Sequence, residues 1–90
     1  MREGEAVFDK LTPAQCRAAR GLLRWSQAQL AEKSQISVTA IQAFEAERTK
    51  PQRPTLALLA RGLEKAGVIL IPANGEGPGV RLRKAKGRAL

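Results

Sequence analysis

Apolar residues along this chain change their spacing near residue 67, and the change separates two kinds of element. Cys16, Ala19 and Leu23 recur at i, i+3 and i+7, one stripe of a helix. The stretch LTPAQ before them reads as a start signal. Thr12 suits the N-cap, Pro13 the first helical position, and Gln15 stands three residues after the cap, as in a capping box. Ser26 and Gln29 repeat that spacing, and Leu30 and Ala31 form the inward face of a second helix. Ser37 is the next cap, after Ile36, and Ile41 and Phe44 are the apolar side of a third helix. A basic loop broken by two prolines, RTKPQRP at 48–54, precedes Thr55, a cap for a fourth helix. Leu56, Leu59, Ala60 and Leu63 then fall at i, i+3, i+4 and i+7, and Gly67 suits the residue just past the helix end.

Beyond Gly67 the pattern is no longer helical. VILI at 68–71 is apolar at every position and β-branched at three, PANGEGPG at 72–79 is turn material, and VRLR at 80–83 alternates. These features predict a β-hairpin. A strand apolar on both faces is usually covered on both. The helices can cover one face, and a second copy of the chain is the expected cover for the other. Val68, Ile69, Leu70, Ile71, Val80 and Leu82 are therefore the expected dimerisation residues. The resulting division is a flexible N-terminal tail at 1–10, with Val7 and Phe8 able to dock it. A helical domain follows at 11–67, then the hairpin at 68–84 and a basic tail at 85–90.

The second and third helices are separated by so few residues that they must cross steeply, with Ile36 plugging the corner. Ala31 is small enough to let them approach. That is helix-turn-helix geometry. The third helix has an unusual outer face: Val38, Thr39 and Gln42 lie opposite Ile41 and Phe44, with Ala43 beside them, and none is charged. A merely solvated face is normally richer in Lys and Glu.

Charge gives that face a context. The 90 residues carry 16 Lys+Arg against 8 Asp+Glu, a net charge of +8, which points to a polyanionic partner. With no His and one Cys, the chain has neither a zinc ligand set nor a Cys–His or Ser–His pair for nucleophilic catalysis. No Gly-rich phosphate loop precedes a helix. No enzyme, cofactor or metal is expected. Cys16 reads as a small core residue, and a lone cysteine fits a reducing compartment. No run is long enough to span a membrane, and MREGEAVFDK lacks the apolar core of a signal peptide, so a cytoplasmic protein is expected. Aromatic residues make up 3% of the chain, too few for a base-stacking platform, and Trp25 reads as core.

The stretch RGLLRWSQAQLAEKSQISVTAIQAFEAER resembles the signature of the Cro/repressor type of helix-turn-helix, the Xre family, and the likeness extends over roughly 11–66. It implies a mainly α, lambda-repressor-like bundle of about four helices, here with a C-terminal β-hairpin. By this resemblance the chain would bind double-stranded operator DNA as a homodimer, usually to repress transcription. Arg20 and Glu45 would match a salt bridge between helices 1 and 3. One departure stands out: the family usually has Gly in the turn where this chain has Gln35, a position that commonly takes a left-handed conformation.

Helix 3 would then lie in the major groove. Gln42 can bond N6 and N7 of adenine, Thr39 can donate or accept, and Val38 can touch a thymine methyl. Ser26 and Gln27 at the start of helix 2, and Arg48, Lys50 and Arg53 on the loop after helix 3, are the expected phosphate contacts. Lys33, Arg81, Arg83, Lys84, Lys86 and Arg88 are further basic candidates. Within this class the chain reads as a phage-type regulator or as an antitoxin with a toxin partner. The competing class is a protein-interaction module on the same fold.

Overall fold

A computed structural model describes residues 10–84. Residues 1–9 of the tail expected at 1–10, including Val7 and Phe8, and the basic tail at 85–90, including Lys86 and Arg88, lie outside the described residues. Four helices precede one hairpin: α1 (Pro13–Leu23), α2 (Gln27–Ser34), α3 (Val38–Glu45), α4 (Arg53–Lys65), β1 (Val68–Ile71) and β2 (Gly79–Leu82).

The first three helices start at the residues whose side chains can cap them. Thr12 Oγ1 accepts from the Gln15 N–H and Gln15 Oε1 accepts from the Thr12 N–H, each at 3.0 Å. Ser26 and Gln29 close the same reciprocal pair at 2.8 and 3.1 Å. Ser37 Oγ accepts from the Ala40 N–H at 3.1 Å. Such caps stabilise by about 1 kcal/mol each, because they satisfy N–H groups that have no partner inside the helix. The fourth start differs from the sequence expectation. Gln52, not Thr55, is the N-cap, and Arg53 and Pro54 are already helical. Proline fits a first turn, where its missing N–H leaves no hydrogen bond unmade, so the helix begins upstream of Thr55.

Helix ends share one device. Arg24 after α1, Gln35 after α2 and Glu47 beyond α3 have φ of 59°, 65° and 62°, and Gly67 after α4 has φ of 109°. Each left-handed residue turns the chain sharply. The family's usual glycine at the α2–α3 turn is therefore not required for its shape: Gln35 takes the left-handed conformation itself, at a cost on the order of 1 kcal/mol. Buried Ser34 supports the turn, its hydroxyl donating to the Leu30 carbonyl at 2.7 Å and accepting from the Ile36 N–H at 3.3 Å.

Leu30, Ile41, Leu59, Leu63 and Cys16 are fully buried in one core, with Leu11, Ala19, Phe44 and Ala60. Burial of each large side chain stabilises by roughly 1.5–3 kcal/mol. Leu23, Trp25, Ala31 and Ile36 pack against that core. Buried Gly62 allows α2 and α4 to approach closely: a Cβ there would stand 3.4 Å from Ser34 Cα and Cβ.

The hairpin joins the same core. β1 and β2 are antiparallel, pairing Val68 with Leu82, Ile69 with Arg81, Leu70 with Val80 and Ile71 with Gly79. Directly opposed residues share a face. Val68 and Leu70 are buried, with Val80 packed beside them, so their face is the inner one. Ile69, Ile71 and Arg81 form the outer face. Of the residues expected at a dimer interface, Val68, Leu70 and Val80 are thus engaged within their own chain. Leu82 is on the inner face but beyond the core's edge, 41% exposed.

Candidate nucleic-acid interface

The third helix presents two chemically distinct sides because its sequence, VTAIQAFE, alternates them at helical spacing. Ile41, Phe44 and Glu45 are buried; Val38, Thr39 and Gln42 are exposed. The exposed group carries one amide, one hydroxyl and one branched apolar side chain, at the helix's N-terminal end.

Its orientation is set from the other side, by Glu45. Arg20 on α1 grips that carboxylate with two bonds, Nε to Oε2 and Nη2 to Oε1, both 2.7 Å. Arg20 also donates from Nη1 to the Trp25 carbonyl at 3.0 Å, which ties in the α1–α2 turn. Gln27 Nε2 donates to Glu45 Oε1 at 3.0 Å, and the Cys16 thiol donates to the same carboxylate. Burial pushes the Glu45 pKa up, but hydrogen bonds from Arg20, Gln27 and Cys16 and the charge of Arg20 outweigh it, so the carboxyl lies below its ordinary value. Burial, then the bond to Glu45, pushes the Cys16 thiol far up, which makes it an inert core group. Arg17 Nη1 donates to the Glu45 carbonyl and approaches Glu47 at 3.9 Å. Two helices, α1 and α2, thus converge on one carboxylate at the C-terminal end of α3.

This geometry changes the part expected of Gln27. Its side chain is turned inward to Glu45, so only backbone N–H groups of the first α2 turn face outward. The capping box occupies those of Ser26 and Gln29 and leaves those of Gln27 and Ala28. Arg48 and Lys50 are exposed on the loop after α3, and neither forms an ion pair among the described residues. Arg53 is not on that loop; it opens α4, with its side chain exposed. Among the described residues no group of His, Cys, Asp and Glu is placed to hold a metal ion, and no helix is long and apolar enough to cross a membrane.

A helix-turn-helix family model matches residues 17–67, which spans α1 from Arg17 to the end of α4. The chain belongs to this helix-turn-helix family, of the Cro/Xre type. Family membership makes it a DNA-binding regulator. None of the curated proteins matches the chain.

Sequence reasoning missed two features of the site. The inward turn of Gln27 depends on Glu45, 18 residues away. Gly62 reads in sequence as a gap in the α4 stripe, although its missing side chain is what seats α2. A glycine on the inner face of an otherwise strong helix was the available clue.

Proposed function

We propose that this protein is a sequence-specific regulator that binds a palindromic operator in double-stranded DNA as a homodimer, and that it represses the promoter it covers. The observation that carries the reading is the exposed, uncharged trio Val38, Thr39 and Gln42 on a helix whose opposite side is anchored by a buried ionic network. Gln42 pairs with adenine, Thr39 hydrogen-bonds a neighbouring base edge and Val38 meets a thymine methyl. Ser26 and the first-turn N–H groups of α2, with Arg48, Lys50 and Arg53, contact phosphates and hold the register. Two copies meet through the outer hairpin face, where Ile69 and Ile71 leave apolar surface that this chain covers only in part. Repression follows from occupancy, and a cytoplasmic location follows from the target.

The test starts from random double-stranded DNA, from which the protein selects its preferred sites. Gln42→Ala should then lose about 1–3 kcal/mol on the selected site and almost nothing on unrelated duplex. An equal loss on both removes Gln42 from base reading. No enrichment of any sequence by the wild type, with affinity set by salt alone, removes sequence-specific recognition.

A further inference from the structure

Gln15 does two jobs with one side chain. Its Oε1 accepts from the Thr12 N–H in the capping box. Its Nε2 donates to the Ile71 carbonyl at 3.0 Å and to the Gly79 carbonyl at 2.9 Å. Those two residues face each other in the hairpin, in the last strand pair before the turn. Gln15 is 3% exposed. Both amide protons and the amide oxygen are therefore engaged, and the side chain fastens the mouth of the hairpin to the first turn of α1.

The position of Gln15 on α1 matters as much as its bonds. Arg17 and Arg20 reach α3 from the same helix. At 3.6 residues per turn, Gln15 lies roughly 140° to 200° around α1 from those two arginines. Helix α1 is thus the body between the hairpin and the reading helix, clamped to each by a different side. These two clamps, with the packing of Val68 and Leu70 in the core, hold the angle between the outer hairpin face and α3.

We infer that Gln15 is a positioning residue for half-site spacing: by locking the hairpin onto α1, it fixes how far apart and at what rotation two reading helices stand in the dimer. The inference rests on the reading that the hairpin joins two copies. In B-DNA one added base pair shifts a half-site by about 3.4 Å and rotates it by about 35°. A dimer with rigid arms discriminates such a step, and a dimer with a loosened hairpin does not.

Gln15→Glu separates the two jobs. Glutamate still accepts from the Thr12 N–H, as in an ordinary capping box, but when ionised has no proton to give either carbonyl. Gln15→Met, of similar size with no donor, serves if a buried carboxylate prevents folding. The probes are duplexes carrying two inverted copies of the selected half-site, with the spacer lengthened or shortened one base pair at a time. Mass in solution is measured by light scattering on the same samples. The wild type should be a dimer that prefers one spacing by about tenfold over its neighbours. The variant should remain a dimer, hold a single half-site as before, and show a preference reduced to about twofold. A dimeric variant with the full wild-type preference overturns the role of Gln15 and leaves the dimer reading standing. A monomeric wild type that reads only single half-sites overturns both.

Discussion

Helix α3 and the hairpin are fastened to the same helix, α1, by opposite chemistry. Arg20 holds α3 through a bidentate bond to a buried carboxylate, and Gln15 holds β1 and β2 through a neutral amide to two backbone carbonyls. A charge-assisted, forked bond is roughly twice as strong as a neutral one and fixes a plane as well as a distance. It also depends on protonation and leaves a buried charge behind if one partner is lost. The amide clamp has neither property. One end of the molecule is thus stiff and intolerant of change, while the other is held by bonds to backbone that no substitution in the hairpin removes directly.

The largest expected effect follows from that intolerance. Arg20→Ala leaves Glu45, 5% exposed, without its counter-charge, and should cost about 3–5 kcal/mol in urea unfolding. The loss should exceed that of any single exposed substitution in the hairpin. The same pair sets a pH signature. Glu45's folded-state pKa is lowered, so its contribution is full above the ordinary glutamate value and is lost as pH falls through the lower folded one. Wild-type stability should drop across that acid window, and Glu45→Gln should flatten the drop. An Arg20→Ala protein as stable as wild type would mean that the ionic clamp adds nothing over the neutral one.

Next is the hairpin's outer face. Ile69→Lys with Ile71→Lys places two charges where a second copy is expected, without touching Val68 or Leu70 in the core. The double variant should be a monomer with wild-type helical circular dichroism and should bind the two-site operator much more weakly, because it loses the benefit of bivalent binding. Removing the whole hairpin is a poorer experiment, since it also strips Val68 and Leu70 from the core. A double variant that is still dimeric by light scattering would move the interface elsewhere.

A smaller effect separates the two regions by charge. Lys50 is exposed beside α3, whereas Arg81 stands on the outer hairpin face, across α1 from α3. Lys50→Ala should flatten the slope of log affinity against log salt by about one counterion. Arg81→Ala should leave that slope as it is. Matching slopes for the two variants would abolish the division between a DNA side and a hairpin side.

The same division explains what the sequence revealed. The starts at Thr12, Ser26 and Ser37 were legible because a cap and its partner lie three residues apart. The inner stripe Leu59, Ala60 and Leu63 was legible because burial follows the helical period. Arg20 and Glu45 came from family likeness, since nothing local to either residue names the other. The start of α4 was misread at Thr55 because Pro54 looks like a breaker but is accepted in a first turn. The second job of Gln15 was invisible: its partners are backbone carbonyls 56 and 64 residues away, and a carbonyl has no letter in a sequence. The residues expected at a dimer interface fall into two sets. VILI shows that both faces are apolar, while only the register with β2 shows which face is turned inward.

The smallest expected effect lies in the two turns that end α2 and α4. Gln35 and Gly67 both have positive φ, but at different values, 65° and 109°. The first is within the left-handed helical region, which a side chain can enter at a cost of about 1–2 kcal/mol; the second is beyond it, where a Cβ is more strongly strained. Gln35→Gly removes the strain but gives the unfolded chain more freedom to lose, a penalty of roughly 0.5–1 kcal/mol. The two terms nearly cancel, so the variant should gain at most about 1 kcal/mol in urea unfolding. Its DNA affinity should fall slightly if the added freedom lets α3 tilt. Gly67→Ala should destabilise by more than Gln35→Gly stabilises, although a Cβ at residue 67 would meet nothing within 4 Å, because the cost there is conformational and not steric crowding. If Gly67→Ala is harmless, the junction between α4 and the hairpin can relax to another φ. The hairpin's orientation would then depend on the Gln15 clamp and core packing, with no contribution from the backbone that leads into it.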